Sequence, residues 1–307
     1  MTAGTPDPSA GRAARPAPAA TLIMVGGHES GGASRLQPLL AAGPWGPAAR
    51  AVGVGRELAA AVTEALAATD QPVCVVPMTL GRDPRLIADT ARTLRWLAGP
   101  DGHGRIALAD PFGDPAHLIG WLRAAADRAL TGDPEGTAVL VTAPGAGPFE
   151  DAELFRIARL VRQYRTHRWV EVAFEGGDPT PAEGVERCRL LGARRVVLLP
   201  AAFGAAPATA DAEDGGPLVS AQAVTGVLRA RVAVALDRLA HGADGIAAGL
   251  DAEHGHGFPH SHGPQETGVR GHRHGHGDGH GHGHGHSAGQ SHGHAPHSHP
   301  ALAGHHH

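Results

Sequence analysis

His28 is the residue of this sequence best placed to do chemistry. It follows the apolar run of residues 21–25 and two glycines, Gly26 and Gly27, which let the backbone turn sharply. A short apolar run ended by glycines is typical of a strand buried on both faces. In an open α/β sheet, residues just past the carboxyl end of a strand face the ligand crevice. We therefore expect His28 at a functional site, although a surface loop histidine fits the same pattern equally well.

A second group of chemically active residues lies at the end of the chain, where 18 of the 23 histidines follow residue 253. They alternate mostly with glycine and serine, so this segment cannot bury a core and is predicted to be disordered. Neutral imidazoles at this density favour binding of Co²⁺, Ni²⁺, Cu²⁺ or Zn²⁺. A purification tag would be an uninterrupted run, which favours metal binding here. The predicted ligands include His272, His274, His276, His280, His282, His284 and His286.

Composition excludes several classes of protein. The 307 residues carry a net charge of -4 with histidine neutral. This charge does not indicate the basic surface that a nucleic-acid-binding protein would need. No apolar run approaches the ~18 residues of a membrane helix. Residues 1–20 lack a continuous apolar core, so we predict a disordered leader and no signal peptide. Cys74 and Cys188 are isolated and are predicted to be buried small hydrophobes. These features predict a soluble, cytoplasmic protein without nucleic-acid or membrane partners.

Predicted strands and helices alternate along the chain. Apolar runs predict strands at residues 21–25, 73–78, 105–110, 138–142, 169–174 and 194–200. Helical spacing and helix-start signals, such as Asp83 followed by Pro84, predict helices at residues 55–68, 84–97, 115–130, 149–164, 181–191 and 219–241. Residues 31–50 and 204–217 are predicted to be loops. Alternation of this kind is typical of parallel sheets with helices on both faces.

The two halves of the chain follow the same order of elements. In each, a strand, a glycine turn and a helix precede a strand that ends in proline, at Pro77 and Pro200. The repeat indicates duplication. We therefore predict an α/β fold of two similar lobes with parallel sheets flanked by helices, at residues 21–131 and 137–241, followed by the disordered, metal-binding tail 242–307. A cleft between the strand ends would hold a ligand.

Several motifs resemble the sirohydrochlorin chelatase family, in particular the long, two-repeat cobaltochelatases of cobalamin synthesis. In the second half these are VEVAF (170–174), PTP (179–181) and GVERCRLLGARRVVLLP (184–200). In the first half VGGH (25–28) and VVPM (75–78) match the family's Gly-His turn and Val-Pro strand end, and residues 108–117 are similar to its third strand-to-helix turn. The resemblance covers roughly residues 20–240. Several family members also carry a histidine-rich segment.

The resemblance implies a class II chelatase-like fold and ATP-independent insertion of Co²⁺, with Fe²⁺ or Ni²⁺ as alternatives, into an anionic tetrapyrrole. The pyrrole nitrogens must lose two protons and the metal must lose water, so a neutral imidazole can serve as transient ligand and as base. His28 carries over to that role, and Glu29 or His117 would complete the site. Arg82 and Arg85 are predicted to bind substrate carboxylates. Solvated charges at a helix start are an equally good interpretation of both arginines.

The chain also departs from the family pattern. The family usually sets a second histidine after its Val-Pro strand, and residues 78–84 contain none, nor do residues 143–147 or 201–206. His117 also fits an ordinary helix-start histidine. Two alternatives therefore stay open: a degenerate chelatase fold that stores or delivers metal through its tail, and a protein that binds a tetrapyrrole without inserting metal. The sequence fixes neither the metal nor the oligomeric state, for which a homodimer is one option.

Overall fold

The structure is a computed structural model that describes residues 20–99, 104–130, 133–163 and 168–252. The predicted leader and the histidine-rich segment from residue 254 lie outside these ranges. The strands are β1 (Thr21–Gly26), β2 (Arg50–Gly53), β3 (Val73–Met78), β4 (Ile106–Leu108), β5 (Thr137–Pro144), β6 (Trp169–Glu175), β7 (Arg195–Pro200) and β8 (Glu213–Asp214). The helices are α1 (Gln37–Ala42), α2 (Arg56–Ala68), α3 (Pro84–Leu97), α4 (Pro115–Ala129), α5 (Pro148–Gln163), α6 (Pro181–Leu190), α7 (Ala221–Ala240) and α8 (Ile246–Leu250).

The described strands form two four-stranded sheets with the same topology. The first has the order β2-β1-β3-β4 and the second the order β6-β5-β7-β8. Every strand pair in both sheets is parallel. Each strand of the first sheet thus has a counterpart at the same place in the second, with β5 corresponding to β1. The predicted pair of similar α/β lobes with helix-flanked parallel sheets is confirmed.

The largest hydrophobic core lies between the two sheets and is built by both halves of the chain. Helix α4 follows the first sheet in sequence but packs on β7, while α7 follows the second sheet and packs on β3 and β4. The outer face of the first sheet is covered by α2, α3 and α8, and that of the second by α6. This exchange of helices joins the lobes through a common apolar interior, which fixes the strand ends of both sheets.

Three segments differ from the sequence prediction. The predicted loop at residues 31–50 contains helix α1 and ends at edge strand β2, and the predicted loop at 204–217 contains strand β8. Both loop predictions are wrong there because these elements have six residues or fewer, too short to show a period among so many Pro, Gly and Ala residues. Residues 246–250 belong to the predicted disordered tail, and this part of the prediction is wrong. They form α8, which packs on α3 and buries Ile246. The turn before α8 is also bonded to the first sheet, because Leu108 N donates to Asp244 O at 2.7 Å.

The cysteines and the membrane prediction can be checked in the described residues. Both Cys74 and Cys188 are fully buried, and burial raises the pKa of each thiol to about 12. They therefore stay protonated at neutral pH and act as small hydrophobes, as predicted. None of the helices that the structure describes is long and apolar enough to cross a membrane.

Candidate functional site

The glycine turn after β1 brings His28 against the loop that follows β3. The carboxyl ends of β1 and β3 are neighbours because these strands pair directly. A Cβ at Gly27 would lie 2.1 Å from Asp83 Oδ2, and one at Gly26 would lie 2.4 Å from Ala33 N. A side chain at either position would need its neighbours to move, so Gly27 allows the loop after β3 to approach His28, and Gly26 allows the turn after β1 to fold tightly on itself. His28 begins a short 3-10 turn at this point.

His28 is held by Asp83, which the sequence predicted only as a helix cap. His28 Nδ1 lies 3.0 Å from Asp83 Oδ2, with the two side chains 20% and 13% exposed. Asp83 also caps α3, since its Oδ1 accepts a hydrogen bond from Leu86 N at 2.9 Å. The other ring nitrogen, His28 Nε2, is buried and has no hydrogen-bonding partner among the described residues. A ring bound to a carboxylate at one nitrogen and free at the other is the arrangement of metal-ligating and general-base histidines.

The charges around the pair shift both pKa values. Burial lowers the pKa of His28, but the hydrogen bond to Asp83 and the nearby carboxylates of Glu29 and Asp83 outweigh it, and the net shift is upward from 6.5. For Asp83, burial raises the pKa, and the hydrogen bond and charge of His28 outweigh it, so the net shift is downward. Asp83 is thus an anion over the whole neutral range, and it stabilises a proton on the imidazole.

Glu29 points into the protein and binds the loop after β3. Its side chain is 1% exposed, and Oε2 accepts hydrogen bonds from the hydroxyl of Thr79 and from Leu80 N, the latter at 2.9 Å. Glu29 O also accepts from Phe203 N of the second lobe at 2.9 Å. Burial raises the pKa of Glu29, opposed by the charges of Arg82 and His28. Its predicted catalytic role stays a prediction, while the observed contacts are those of an anchor.

The two arginines predicted to bind substrate lie in different surroundings. Arg82 has a fully buried side chain that crosses to the second lobe, where Nε donates to Glu150 O at 3.2 Å and one terminal nitrogen lies 3.3 Å from Asp151 Oδ1. The guanidinium lies 6.0 Å from the centre of the Phe174 ring. Arg85, in the first turn of α3, is exposed. Burial favours a bridging role for Arg82, and only Arg85 is accessible to an anionic ligand.

His117 lies at the start of α4 and is half exposed. Its Nδ1 is 2.9 Å from Asp114 Oδ2, and its ring stacks on Trp121 with centroids 5.6 Å apart. Asp114 Oδ1 also accepts from His117 N, which completes the helix cap. These contacts match the helix-start interpretation of this residue. Over the described ranges, no three His, Cys, Asp or Glu side chains converge as a metal-binding group.

Two cavities border the loop after β3. One of about 260 Å³ is lined by Thr79, Asp83 and the ion pair of Asp110 with Arg238, among others. The other, of about 290 Å³, lies beside Arg35, Leu80 and Phe203. The loop after β3, which holds His28 in place, therefore contributes residues to both cavities. Asp83 and Thr79 were missed as site residues, and the signal for them is that β3 ends beside β1.

Known proteins match this chain in sequence over a short segment, and in structure with low TM-scores. No family model matches the chain. A sirohydrochlorin cobaltochelatase of Priestia megaterium is 43% identical over 68 residues, which is 22% of this chain and 22% of that protein. This chain therefore spans about a fifth of the length of the curated relative.

Two solved structures overlay on most of the chain. SirB from Bacillus subtilis with Fe³⁺ gives a TM-score of 0.47 at 13% identity, covering 74% of this chain and 99% of SirB. The sirohydrochlorin chelatase SirB from Bacillus subtilis subspecies spizizenii, in complex with cobalt, gives 0.43 at 12% identity, covering 71% and 95%. The local sequence match supports what the motifs of both halves indicate, namely that the chain resembles the sirohydrochlorin chelatase family.

Proposed function

We propose that this chain is a sirohydrochlorin chelatase that inserts Co²⁺, or Fe²⁺, into the macrocycle without ATP. The observation that carries the proposal is the imidazole of His28, held at Nδ1 by Asp83 and unpartnered at Nε2 among the described residues. The local identity to a sirohydrochlorin cobaltochelatase supports it. Metal insertion into a tetrapyrrole needs a group that can bind the incoming ion or take a pyrrole proton, and a neutral imidazole does both.

The chemistry follows from the hydrogen bond to Asp83. When the N–H at Nδ1 donates to the carboxylate, the neutral ring carries its lone pair at Nε2. That lone pair can replace a water on the arriving metal ion or accept one of the two protons that leave the macrocycle. The carboxylate of Asp83 makes Nε2 a stronger base than an isolated imidazole, because it stabilises the protonated ring. We further propose that exposed Arg85 binds a carboxylate arm of the substrate.

Insertion should slow as the pH falls. A protonated imidazole has no lone pair, and the pKa of His28 lies above 6.5 under the combined influence of burial, Asp83, Glu29 and Arg82. We expect the background-corrected rate of cobalt insertion to be half-maximal above that value. Asn caps helices as well as Asp does, so Asp83→Asn keeps the cap but removes the charge, and it should move the midpoint to lower pH. A midpoint that does not change in Asp83→Asn would contradict the role of this pair.

The histidine-rich segment carries a second candidate function, storage or delivery of metal. It lies outside the described residues, and its density of imidazoles favours binding of several divalent ions. Delivery and catalysis can be tested separately because the segment can be removed without removing His28 or Asp83. A chain ended after Ala252 retains α8 and the contacts of the His28 site that are seen among the described residues.

The shortened chain tests both functions together. We expect it to melt at the same temperature as the full chain in metal-free buffer and to bind fewer Co²⁺ ions at pH 8 in equilibrium dialysis. If the protein is a chelatase, the shortened chain should also insert cobalt into sirohydrochlorin at saturating Co²⁺ as fast as the full chain. Loss of insertion on removing the segment, with His28→Ala still active, would favour the delivery function instead.

A further inference from the structure

Thr79 joins the two loops that meet at His28. Its side chain is fully buried, and its hydroxyl donates to Glu29 Oε2. The same oxygen accepts hydrogen bonds from Gly81 N at 2.9 Å and from Asp83 N at 3.2 Å. One hydroxyl thus binds a carboxylate of the turn after β1 and two backbone amides of the loop after β3.

Both members of the His28–Asp83 pair are fixed through this hydroxyl. Glu29 follows His28 directly in the chain, and its carboxylate accepts the Thr79 hydroxyl. Asp83 is held from the other side, because its own N–H donates to Thr79 Oγ1. Leu80 N also donates to Glu29 Oε2, so two hydrogen bonds join the Glu29 carboxylate to the loop after β3. The distance of 3.0 Å between His28 Nδ1 and Asp83 Oδ2 therefore depends on a buried network that does not itself contact the ring nitrogen Nε2.

We propose that Thr79 is a positioning residue for His28, with Glu29 as its anchor. The hydroxyl sets the position of Asp83, and Asp83 in turn keeps the proton of the neutral imidazole on Nδ1 and the lone pair on Nε2. The inference rests on the proposed function for the role of His28 in turnover, but the position of the proton is a property of the free protein. Partners of this kind, one step removed from the reacting group, typically change metal affinity or activity by about 10–100-fold.

Threonine variants of the full chain test the proposal. Thr79→Val keeps the shape and removes the hydroxyl, while Thr79→Ser keeps the hydroxyl. Thr142→Val is the matched control, because Thr142 is also buried but its hydroxyl has no hydrogen-bonding partner among the described residues. We expect Thr79→Val to lower kcat for cobalt insertion by about 10-fold or more with little change in KM for sirohydrochlorin. Thr79→Ser and Thr142→Val should stay near the wild-type rate.

The second readout is the imidazole itself. Nitrogen NMR of the labelled chain, with the His28 signal assigned by its loss in His28→Gln, distinguishes a proton on Nδ1 from one on Nε2. We expect the Nδ1–H form in wild type, Thr79→Ser and Thr142→Val, and a mixture of both forms in Thr79→Val. A wild-type ring protonated only at Nε2 would overturn the proposal, even if Thr79→Val does not fold. An unchanged tautomer and kcat in folded Thr79→Val would overturn it as well.

The two readouts separate the positioning role from the function. If wild-type protein inserts no metal but its tautomer changes in Thr79→Val as expected, the positioning role stands and the chelatase proposal fails. If insertion is catalysed but neither readout responds to Thr79→Val, the function stands and the positioning role fails.

Discussion

Replacing His28 by alanine is expected to abolish catalysed cobalt insertion while leaving the protein folded. The variant removes the lone pair at Nε2, and general-base groups contribute about 10²–10⁴-fold to enzymatic rates. The fold should survive because Asp83 keeps its capping bond to Leu86 N, and the lost hydrogen bond to the charged carboxylate is worth about 1.5–3 kcal/mol. The rate is measured by the absorbance change of sirohydrochlorin mixed with Co²⁺ near pH 8, with the uncatalysed rate subtracted.

His241→Ala is the matched control for this variant. His241 caps the end of α7, is exposed, and bonds through Nδ1 to Asp237 O at 2.7 Å. It shares the residue type and a hydrogen-bonded Nδ1 with His28, but its described hydrogen bond is to the backbone of its own helix, so its loss should leave the rate unchanged. Smaller losses are predicted for Glu29→Gln and His117→Ala. Full activity in His28→Ala would place the chemistry elsewhere, with His117 and Arg85 the next residues to test.

Arg82→Met is expected to cost the protein about 3–5 kcal/mol of unfolding free energy, as breaking a buried ion pair usually does. The guanidinium bonds to Glu150 O and Asp151, and its charge also opposes the burial-driven rise in the pKa of Glu29. Methionine fills a similar volume but leaves the buried carboxylate of Glu29 without the charge of Arg82, which opposes its burial most strongly. Urea unfolding at neutral pH measures the loss.

Two further variants show whether the loss comes from an uncompensated charge. Arg85→Met removes an exposed arginine three residues away and should change the unfolding free energy by no more than about 0.5 kcal/mol. Glu29→Gln combined with Arg82→Met removes both charges, so the double variant should be more stable than the sum of the single losses predicts, by about 0.5–3 kcal/mol. Strict additivity would mean that Arg82 stabilises the lobes through its contacts with α5 alone.

The architecture could be predicted from the sequence because its signals are local. Buried strands such as β1 and β3 are continuous apolar runs, and α3 begins with a capping aspartate followed by proline, so each element is identified by its own residues. Edge strand β2 and helix α8 were missed because neither is long enough to show a period. The sequence does not predict that α4 packs on the second sheet and α7 on the first, because these contacts depend on tertiary packing and not on the residues of one segment.

The site was predictable only in part for the same reason. The strand and the two glycines before His28 identify it in the sequence, and in the structure it lies just past the carboxyl end of β1, as predicted. Its partner Asp83 comes 55 residues later, and only the pairing of β1 with β3 brings the two together. The same pairing turns Glu29 inward onto Thr79, and the approach of the second lobe buries Arg82. The sequence predicts Asp83 only as a helix cap and does not single out Thr79, because neither signal is local to these residues.

The most direct test of the central claim is the initial rate of cobalt insertion as a function of the concentration of the full chain. With sirohydrochlorin and Co²⁺ both in large excess near pH 8, a chelatase should give a rate above background that rises in proportion to protein and yields many product molecules per chain. A rate that never exceeds the protein-free background, or product that stops at the amount of metal the protein carries, would contradict the account.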